Sequence, residues 1–293
     1  MVSLPFMIEL VTVGLVLAAI YALMAIGITL IYGIMKVSNF AHGEFYMIGA
    51  YAAYYTVKFL NVPTVLSIPP AIAAGFALGY MVERLIIRDT YVKKIERPGE
   101  YAMLATLGLS ILLQNIAREV FGPFMRSTPP LMPGRVMLYV TALSLDRIIA
   151  LTISIVALVT LYFFIRRTKT GRAWRAVAQN KVGALVTGID TEKACRLSYS
   201  TGGALAALAG SLLAPVYAIY PNMGFWPLII SFVAMTLGGL GSIEGSLIAA
   251  VIIGLTHVFA ATFIGPSYAD VAMYVVLMIT VVIRPTGLLG RGD

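Results

Sequence analysis

RRTKTGRAWRAVAQNKVGALVTGIDTEKACR, residues 166–196, is the long polar interruption of an otherwise apolar chain, and its reading decides the fold. It holds eight Lys/Arg against Asp190 and Glu192, with long apolar runs on both sides. Positively charged connections between membrane spans stay on the cytoplasmic side. The stretch therefore marks a cytoplasmic loop of a polytopic membrane protein.

Composition supports this. Of 293 residues, 60% are hydrophobic and 12% charged, about half the roughly 25% charge of a soluble domain. A helical crossing takes about 20 apolar residues, which leaves no sizeable soluble domain and makes residues 1–293 a single transmembrane domain. Apolar runs lie near 6–34, 44–60, 64–82, 101–121, 147–165, 196–218, 226–240, 246–263 and 268–283. The expected fold is all-α, a polytopic membrane helical bundle of about eight to nine spans with broken or re-entrant segments.

The formal net charge of +8 is spread over alternating loops, a topology signal rather than a nucleic-acid footprint. One basic side is formed by 84–100, with Arg84, Arg88, Lys93, Lys94 and Arg97, by 166–196, and by the tail with Arg284 and Arg291. The other side receives Lys58, Arg126, Arg135 and Arg147. No Lys or Arg precedes Lys36, so the first run lacks the positive start of a cleaved signal peptide. These features place the N-terminus outside and the C-terminus in the cytoplasm. Cys195 is alone, so neither a disulfide nor a Cys/His metal site is expected. No Ser/His/Asp set or carboxylate pair suggests an enzyme. The external connection 122–146, with Pro123, Pro129, Pro130, Pro133 and Gly134, is expected to form an irregular cap.

Small residues recur at four-residue spacing in Gly202, Ala206 and Gly210, in Gly203, Ala207 and Ser211, and in Gly75 and Gly79. Such stripes let helix backbones approach closely where lipid gives little drive for association. Between the first two spans lie Asn39, His42, Gly43 and Glu44, running into Gly49. Polar groups inside a membrane are site candidates. At an interface the same residues would instead cap a helix and favour its positive end. Gly43 and Gly49 fit close backbone approach or a broken helix, a geometry that lines transport paths. A second cluster, Gly238-Gly239-Leu240-Gly241-Ser242-Ile243-Glu244-Gly245, has no lysine and matches no phosphate loop. It reads as a tight connection with Glu244 toward water or a cavity. Gln114, Asn115, Arg118 and Glu119 read as an interfacial anchor, and His257 as a hydrogen-bonded helix contact.

Inside the basic loop, Trp174, Val177, Ala178, Val182, Leu185, Val186 and Ile189 recur at steps of three and four. That periodicity predicts a short helix with one apolar face, while Arg172, Arg175, Gln179 and Asn180 fall off it. Gly188 supplies a stop, and Asp190 or Thr191 a cap for the next span. The apolar face fits either a headgroup surface or a groove on a soluble partner.

Three blocks then carry a resemblance: NFAHGEFYMIGAY at 39–51, TKTGRAWRAVAQN with GALVTGI and GGALAALAG at 168–210, and GGLGSIEGS at 238–246. In this order they resemble the permease of branched-chain amino acid ABC importers of the Liv type, and its H subunit more than the longer M subunit. The resemblance spans nearly the whole chain. It implies a permease subunit in the inner membrane that moves branched-chain, hydrophobic amino acids by alternating access. The implied partners are a second homologous permease, two cytoplasmic ATPase subunits and an external substrate-binding protein, with no nucleic acid. No cofactor is expected on this chain; ATP and Mg would sit on the ATPases. It also implies that the loop helix seats in an ATPase groove, through Arg172, Trp174, Arg175, Val177, Ala178, Asn180, Ala184, Leu185, Gly188 and Ile189. The general importer pattern Glu-Ala-Ala, three residues, Gly is met only at Ala184 and Gly188, with Val182 and Gly183 in the first positions. The translocation path is expected near Asn39, His42, Gly43, Glu44 and Gly49 and past Gly239, Gly241 and Glu244. The alternatives are a urea or short-amide permease of the same superfamily, and a stand-alone secondary transporter or channel.

Overall fold

The computed structural model describes residues 4–93, 95–138 and 141–290; Lys94 and Arg291, counted above among the basic-side charges, lie outside the described residues. In chain order the helices are α1 (Leu4–Met35), α2 (His42–Leu60), α3 (Ile68–Val82), α4 (Arg88–Val92), α5 (Pro98–Phe121), α6 (Leu145–Arg167), α7 (Lys169–Gln179), α8 (Lys181–Val186), α9 (Thr191–Leu213), α10 (Phe225–Gly238), α11 (Ile243–Phe263) and α12 (Ala269–Ile283). A single π-helical turn, Glu83–Ile87, joins α3 to α4. Among the described residues, six helical segments are long and apolar enough to cross a membrane. α2 and α9 complete the set of long helices, made more polar by Glu44 and Lys58 in one and by Glu192, Lys193 and Arg196 in the other. At 14 residues, α10 is only about 21 Å long, short of a hydrocarbon core of about 30 Å.

The apolar runs read from sequence match these elements closely. One departure is the connection 122–146, expected as an irregular cap: it is irregular only up to Gly134, after which β1 (Arg135–Leu138) and β2 (Thr141–Ser144) pair antiparallel. Val136 and Thr141 favour extended backbone, and a bond from Leu145 N–H to Gly134 O closes the hairpin base.

α1 is apolar on every side, as a helix buried all round must be, and it packs on α9, α10 and α11. α9 packs in turn on α2 and α3. The small-residue stripes lie at these crossings. A methyl group on Gly49 would collide with the Ala207 backbone, one on Gly75 with Ala207 and Gly203, and one on Gly210 with the carbonyl of Tyr46. Gly27 and Gly202 face each other in the same way. Since lipid tails are as apolar as leucine, this backbone proximity supplies the attraction. α5, α6 and α12 sit outside, with only 11–17% of their apolar stretches buried.

An ionic network ties the inner helices at the α7–α8 end. Glu83, fully buried at the start of the π turn, accepts from Arg196 Nε at 3.0 Å and from the Tyr91 hydroxyl. Arg196 stacks over Tyr80, and Glu192 also binds Arg88 at 3.0 Å.

Gly49→Ala is expected to lower stability by about 1–3 kcal/mol through overpacking. Gly108→Ala, which meets nothing within 4 Å, should leave stability equal or raise it by up to about 1 kcal/mol. Thermal unfolding of the purified protein separates them; equal shifts would contradict the close-packed seam.

Candidate functional site

After α1 ends, Lys36 adopts a left-handed backbone (φ 56°) that turns the chain back into the bundle. Asn39 Oδ1 accepts the Ala41 N–H at 3.0 Å, an Asx turn that starts α2. His42 Nε2 lies 3.1 Å from Met24 O, and its ring fits the space left by Gly27. Met24 and Gly27 stand about 12–16 Å from the end of α1, so α2 begins inside the bundle. Asn39, His42 and Glu44 are 0–1% exposed, so all three lie in the protein interior.

Glu44 Oε1 accepts from Ser110 Oγ and Gln114 Nε2, both at 2.8 Å. One turn before, the Phe40 N–H donates to Thr106 Oγ1 at 3.0 Å. Thr106, Ser110 and Gln114 therefore form a polar stripe, one residue per turn, by which the otherwise exposed α5 holds the start of α2. Gln114 is thus drawn inward and is no interfacial anchor; the four-residue spacing of polar groups on an apolar helix is the signal that identifies it. Asn39 Nδ2, His42 Nδ1 and Glu44 Oε2 are buried and have no hydrogen-bond partner among the described residues. Each such orphan costs about 1–3 kcal/mol.

α10 also begins inside. The connection from α9 reaches out to bridge Ile219 with Arg126, then returns to Gly224. Gly43 and Gly224 meet there backbone to backbone, with no room for a methyl group on either. Beside this crossing lies a cavity of about 410 Å³, lined by Leu17 and Tyr21 of α1, Tyr46 of α2, Tyr217, Tyr220 and Met223 of the connection, and Trp226 and Ile230 of α10. His257 and Asp270 complete it from α11 and α12, and the Tyr21 hydroxyl and His257 Nδ1 are 2.8 Å apart. Sequence reading missed this tyrosine cavity because its residues are scattered over six elements and, taken singly, look like packing aromatics.

A second cavity, about 570 Å³, opens at the α7–α8 end between α1, α6, α7 and α11. Glu244 and Gly241 line it, and Glu244 pairs with Arg166 at 3.6 Å. The glycine cluster is the tight connection expected: Gly239 and Gly241 take positive φ (105° and 84°), and Ser242 Oγ caps α11 by accepting the Gly245 N–H at 3.1 Å. Gly239 packs against Thr286 and Gly290 of the tail rather than against a cavity. Neither cavity is lined by Asn39, His42 or Glu44, and Gly49 packs on α9.

The basic loop forms two helices where its periodicity predicts one. Asn180 is extended (φ −154°, ψ 106°) and its Oδ1 accepts the Gly183 N–H at 2.8 Å, so it ends α7 and caps α8. The single apolar face is thereby divided. Trp174 and Val177 turn into the protein, with the Trp174 ring tilted against Phe164, and Ala184 is buried. Ala178 and Ile189 are half-buried; Arg172, Arg175, Asn180 and Gly188 are exposed, and Arg175 also donates to Ile165 O. Val182, Leu185 and Val186 face outward at 72%, 62% and 83% exposure. Gly188 (φ 82°) stops α8, and Asp190 caps α9 by accepting the Lys193 N–H at 2.9 Å. The Lys181 ammonium lies 4.1 Å from the Tyr91 ring centre, tying α8 to the Glu83–Arg196 network. Partial burial lowers its pKa, opposed by Cys195 and Glu192. Among the described residues no group of three metal-ligating side chains occurs.

Residues 10–282 match the family described as branched-chain amino acid transport system / permease component. The chain is 34% identical to the high-affinity branched-chain amino acid transport system permease protein BraD of Pseudomonas aeruginosa, over 96% of this chain and 94% of that one. It is 33% identical to the high-affinity branched-chain amino acid transport system permease protein LivH of Escherichia coli K12, again over 96% and 94%. Among solved structures, PsaBC from Streptococcus pneumoniae in complex with Fab is similar in fold, with a TM-score of 0.50 and 12% identity over 94% of this chain and 91% of that one.

Gln114→Leu removes one of two donors to the buried Glu44 and is expected to cost about 1–3 kcal/mol. In a double-mutant cycle with Glu44→Leu, unfolding measurements should give a coupling above about 0.5 kcal/mol. Additive effects would contradict the α2–α5 clasp.

Proposed function

The chain belongs to the branched-chain amino acid transport system permease family, and on that premise we propose that it moves branched-chain, hydrophobic amino acids across the inner membrane as one permease subunit of an ABC importer. It is a membrane-embedded transport component, not an enzyme. In this proposal its partners are a homologous second permease, two cytoplasmic ATPases, which hold ATP and Mg, and an external binding protein. The α7–α8 end faces the cytoplasm. Arg84, Arg88, Lys93, Arg97, Arg166, Arg167, Lys169, Arg172, Arg175, Lys181, Lys193 and Arg196 all belong to that side, against Lys58, Arg126, Arg135 and Arg147 on the other, which is the asymmetry expected of a cytoplasmic face. The N-terminus is then external and the tail cytoplasmic.

The observation that carries the coupling role is the exposed α8 triad. Val182, Leu185 and Val186 are three large apolar side chains bared on a six-residue helix, and helices of this kind lay such faces into grooves of soluble partners. Val182 and Leu185 also border a recess of about 850 Å³ with Tyr91, Gly188 and Ile189. Contact with the ATPase falls to this triad together with Arg172, Arg175, Ala178, Asn180, Gly188 and Ile189. Trp174, Val177 and Ala184 act from behind by fixing α7 and α8 on the permease. ATPase closure pushes α8. Lys181, Tyr91, Glu83 and Arg196 then carry the push to α9, since coupling requires a continuous set of packed groups with two arrangements.

The path uses Asn39, His42, Gly43 and Glu44, with Gly239, Gly241 and Glu244 flanking its cytoplasmic end and Gly49 allowing α2 to slide on α9. Support comes from the three buried, unpartnered polar atoms at the start of α2. A second arrangement of the bundle that pairs or hydrates them offsets their cost.

Two measurements test this. Leu185→Glu with Val186→Glu should abolish ATPase co-purification and uptake while Trp174→Phe keeps both; retained association in the double variant contradicts the coupling face. In cells carrying the assembled system, excess leucine should compete labelled leucine uptake at least about tenfold more strongly than urea does. The reverse order would favour the short-amide reading.

A further inference from the structure

We infer that the tyrosine cavity is a transit site for a zwitterionic amino acid, with Asp270 receiving the α-ammonium, Tyr21 and His257 the carboxylate, and Leu17, Leu213 and Ile230 the apolar side chain. This rests on the transport reading above and adds a location and a set of contacts to it. The cavity, about 410 Å³, falls within the range of about 300–1,000 Å³ typical of small-molecule sites, which pair apolar walls with a few convergent polar groups.

Its chemistry is one-sided. Asp270 lines it, and neither Lys nor Arg does, so it favours an ammonium over an anionic side chain. Tyr46, Tyr217, Tyr220 and Trp226 surround the space with aromatic rings, whose faces attract an ammonium while offering area to aliphatic groups. The Tyr21 hydroxyl and His257 Nδ1, 2.8 Å apart, form a polar pair on one wall; one proton lies between them, which leaves one donor of the pair, the Tyr21 O–H or the His257 Nε2–H, for a carboxylate. A glutamine or serine side chain meets few partners on the aliphatic wall, and an unpaired polar group disfavours binding.

The Gly43–Gly224 crossing adjoins the cavity through its sequence neighbours. Gly224 lies between Met223 and Trp226, both lining residues, and Gly43 is one turn before Tyr46. The two backbones touch there, so in this proposal a ligand passes from the cavity toward Asn39 and His42 only in an arrangement that parts α10 from α2.

The experiment uses the complete importer in lipid vesicles with photo-leucine, the diazirine analogue of leucine, and maps the label on this chain by mass spectrometry. The expected label lies on peptides containing Met223, Trp226 and Ile230 and on the His257–Asp270 segment. Excess leucine should remove it, whereas 2-hydroxy-4-methylpentanoate, which lacks the ammonium, should not. Asp270→Asn should reduce the labelling about tenfold. Label confined to other segments, or label on these that neither leucine nor Asp270→Asn diminishes, overturns the inference. Leucine uptake by the same vesicles separates the two claims. Uptake without label in this cavity sinks the inference and leaves the transport reading standing; absence of leucine uptake, with all partners assembled, sinks both.

Discussion

A helix that begins inside an apolar bundle must find partners for its first N–H groups within the protein, because hydrocarbon supplies none. α2 and α10 both begin this way, and much of the architecture follows from how they do it. At α2 the solution is chemical: the Asn39 side chain makes the first turn, Thr106 takes the Phe40 N–H, and Ser110 and Gln114 brace Glu44. At α10 the preceding turn supplies acceptors, Met223 N–H bonding Tyr220 O and Phe225 N–H bonding Asn222 O, and Gly224 is pressed on Gly43 so that no side chain keeps the two starts apart. Interrupted backbone at membrane depth is tolerated where it is buried in protein or lines a cavity; here it does both, since the tyrosine cavity lies against the crossing.

Around this interruption the bundle is built on two central helices. α1 and α9, joined through Gly27 and Gly202, are buried on nearly all sides and act as the frame. α5 reaches the α2 start through its polar stripe, and α10 packs on α1 and α11 and meets the α1–α2 connection where Phe232 touches Phe40. Hydrogen bonds and small contacts of this kind exchange partners at lower cost than interlocked backbones. The ionic network at the α7–α8 end joins the same frame, because Arg196 belongs to α9 and Glu83 to the α3–α4 segment. In the proposed coupling, a push on α8 reaches α9 through this network and the α2 start through the packing of α9 on α2.

Much of this was legible in the sequence. Length and spacing of apolar runs located the long helices, since a membrane leaves few lengths to choose from. The Gly202-Ala206-Gly210 and Gly75-Gly79 stripes identified the closest crossings, and Gly188 and Asp190 the ends of α8 and α9. Four features were not legible, each for a physical reason. The split at Asn180 leaves the three- and four-residue periodicity almost intact, so the face looks continuous while its two halves point different ways. The clasp on Glu44 depends on which helix neighbours α2, a tertiary fact. The tyrosine cavity depends on six elements converging, and no local pattern records that. The β hairpin in the connection between α5 and α6 was hidden by the proline-rich segment before it.

The central claim is that the buried polar start of α2 becomes part of the path when the bundle changes state. The most direct measurement is the reactivity of Asn39→Cys, in a Cys195→Ala background, toward a small membrane-impermeant maleimide, comparing the nucleotide-free importer with the vanadate-trapped one. The account predicts protection in one state and rapid labelling in the other. Protection in both states, in a variant that still takes up leucine, would contradict it.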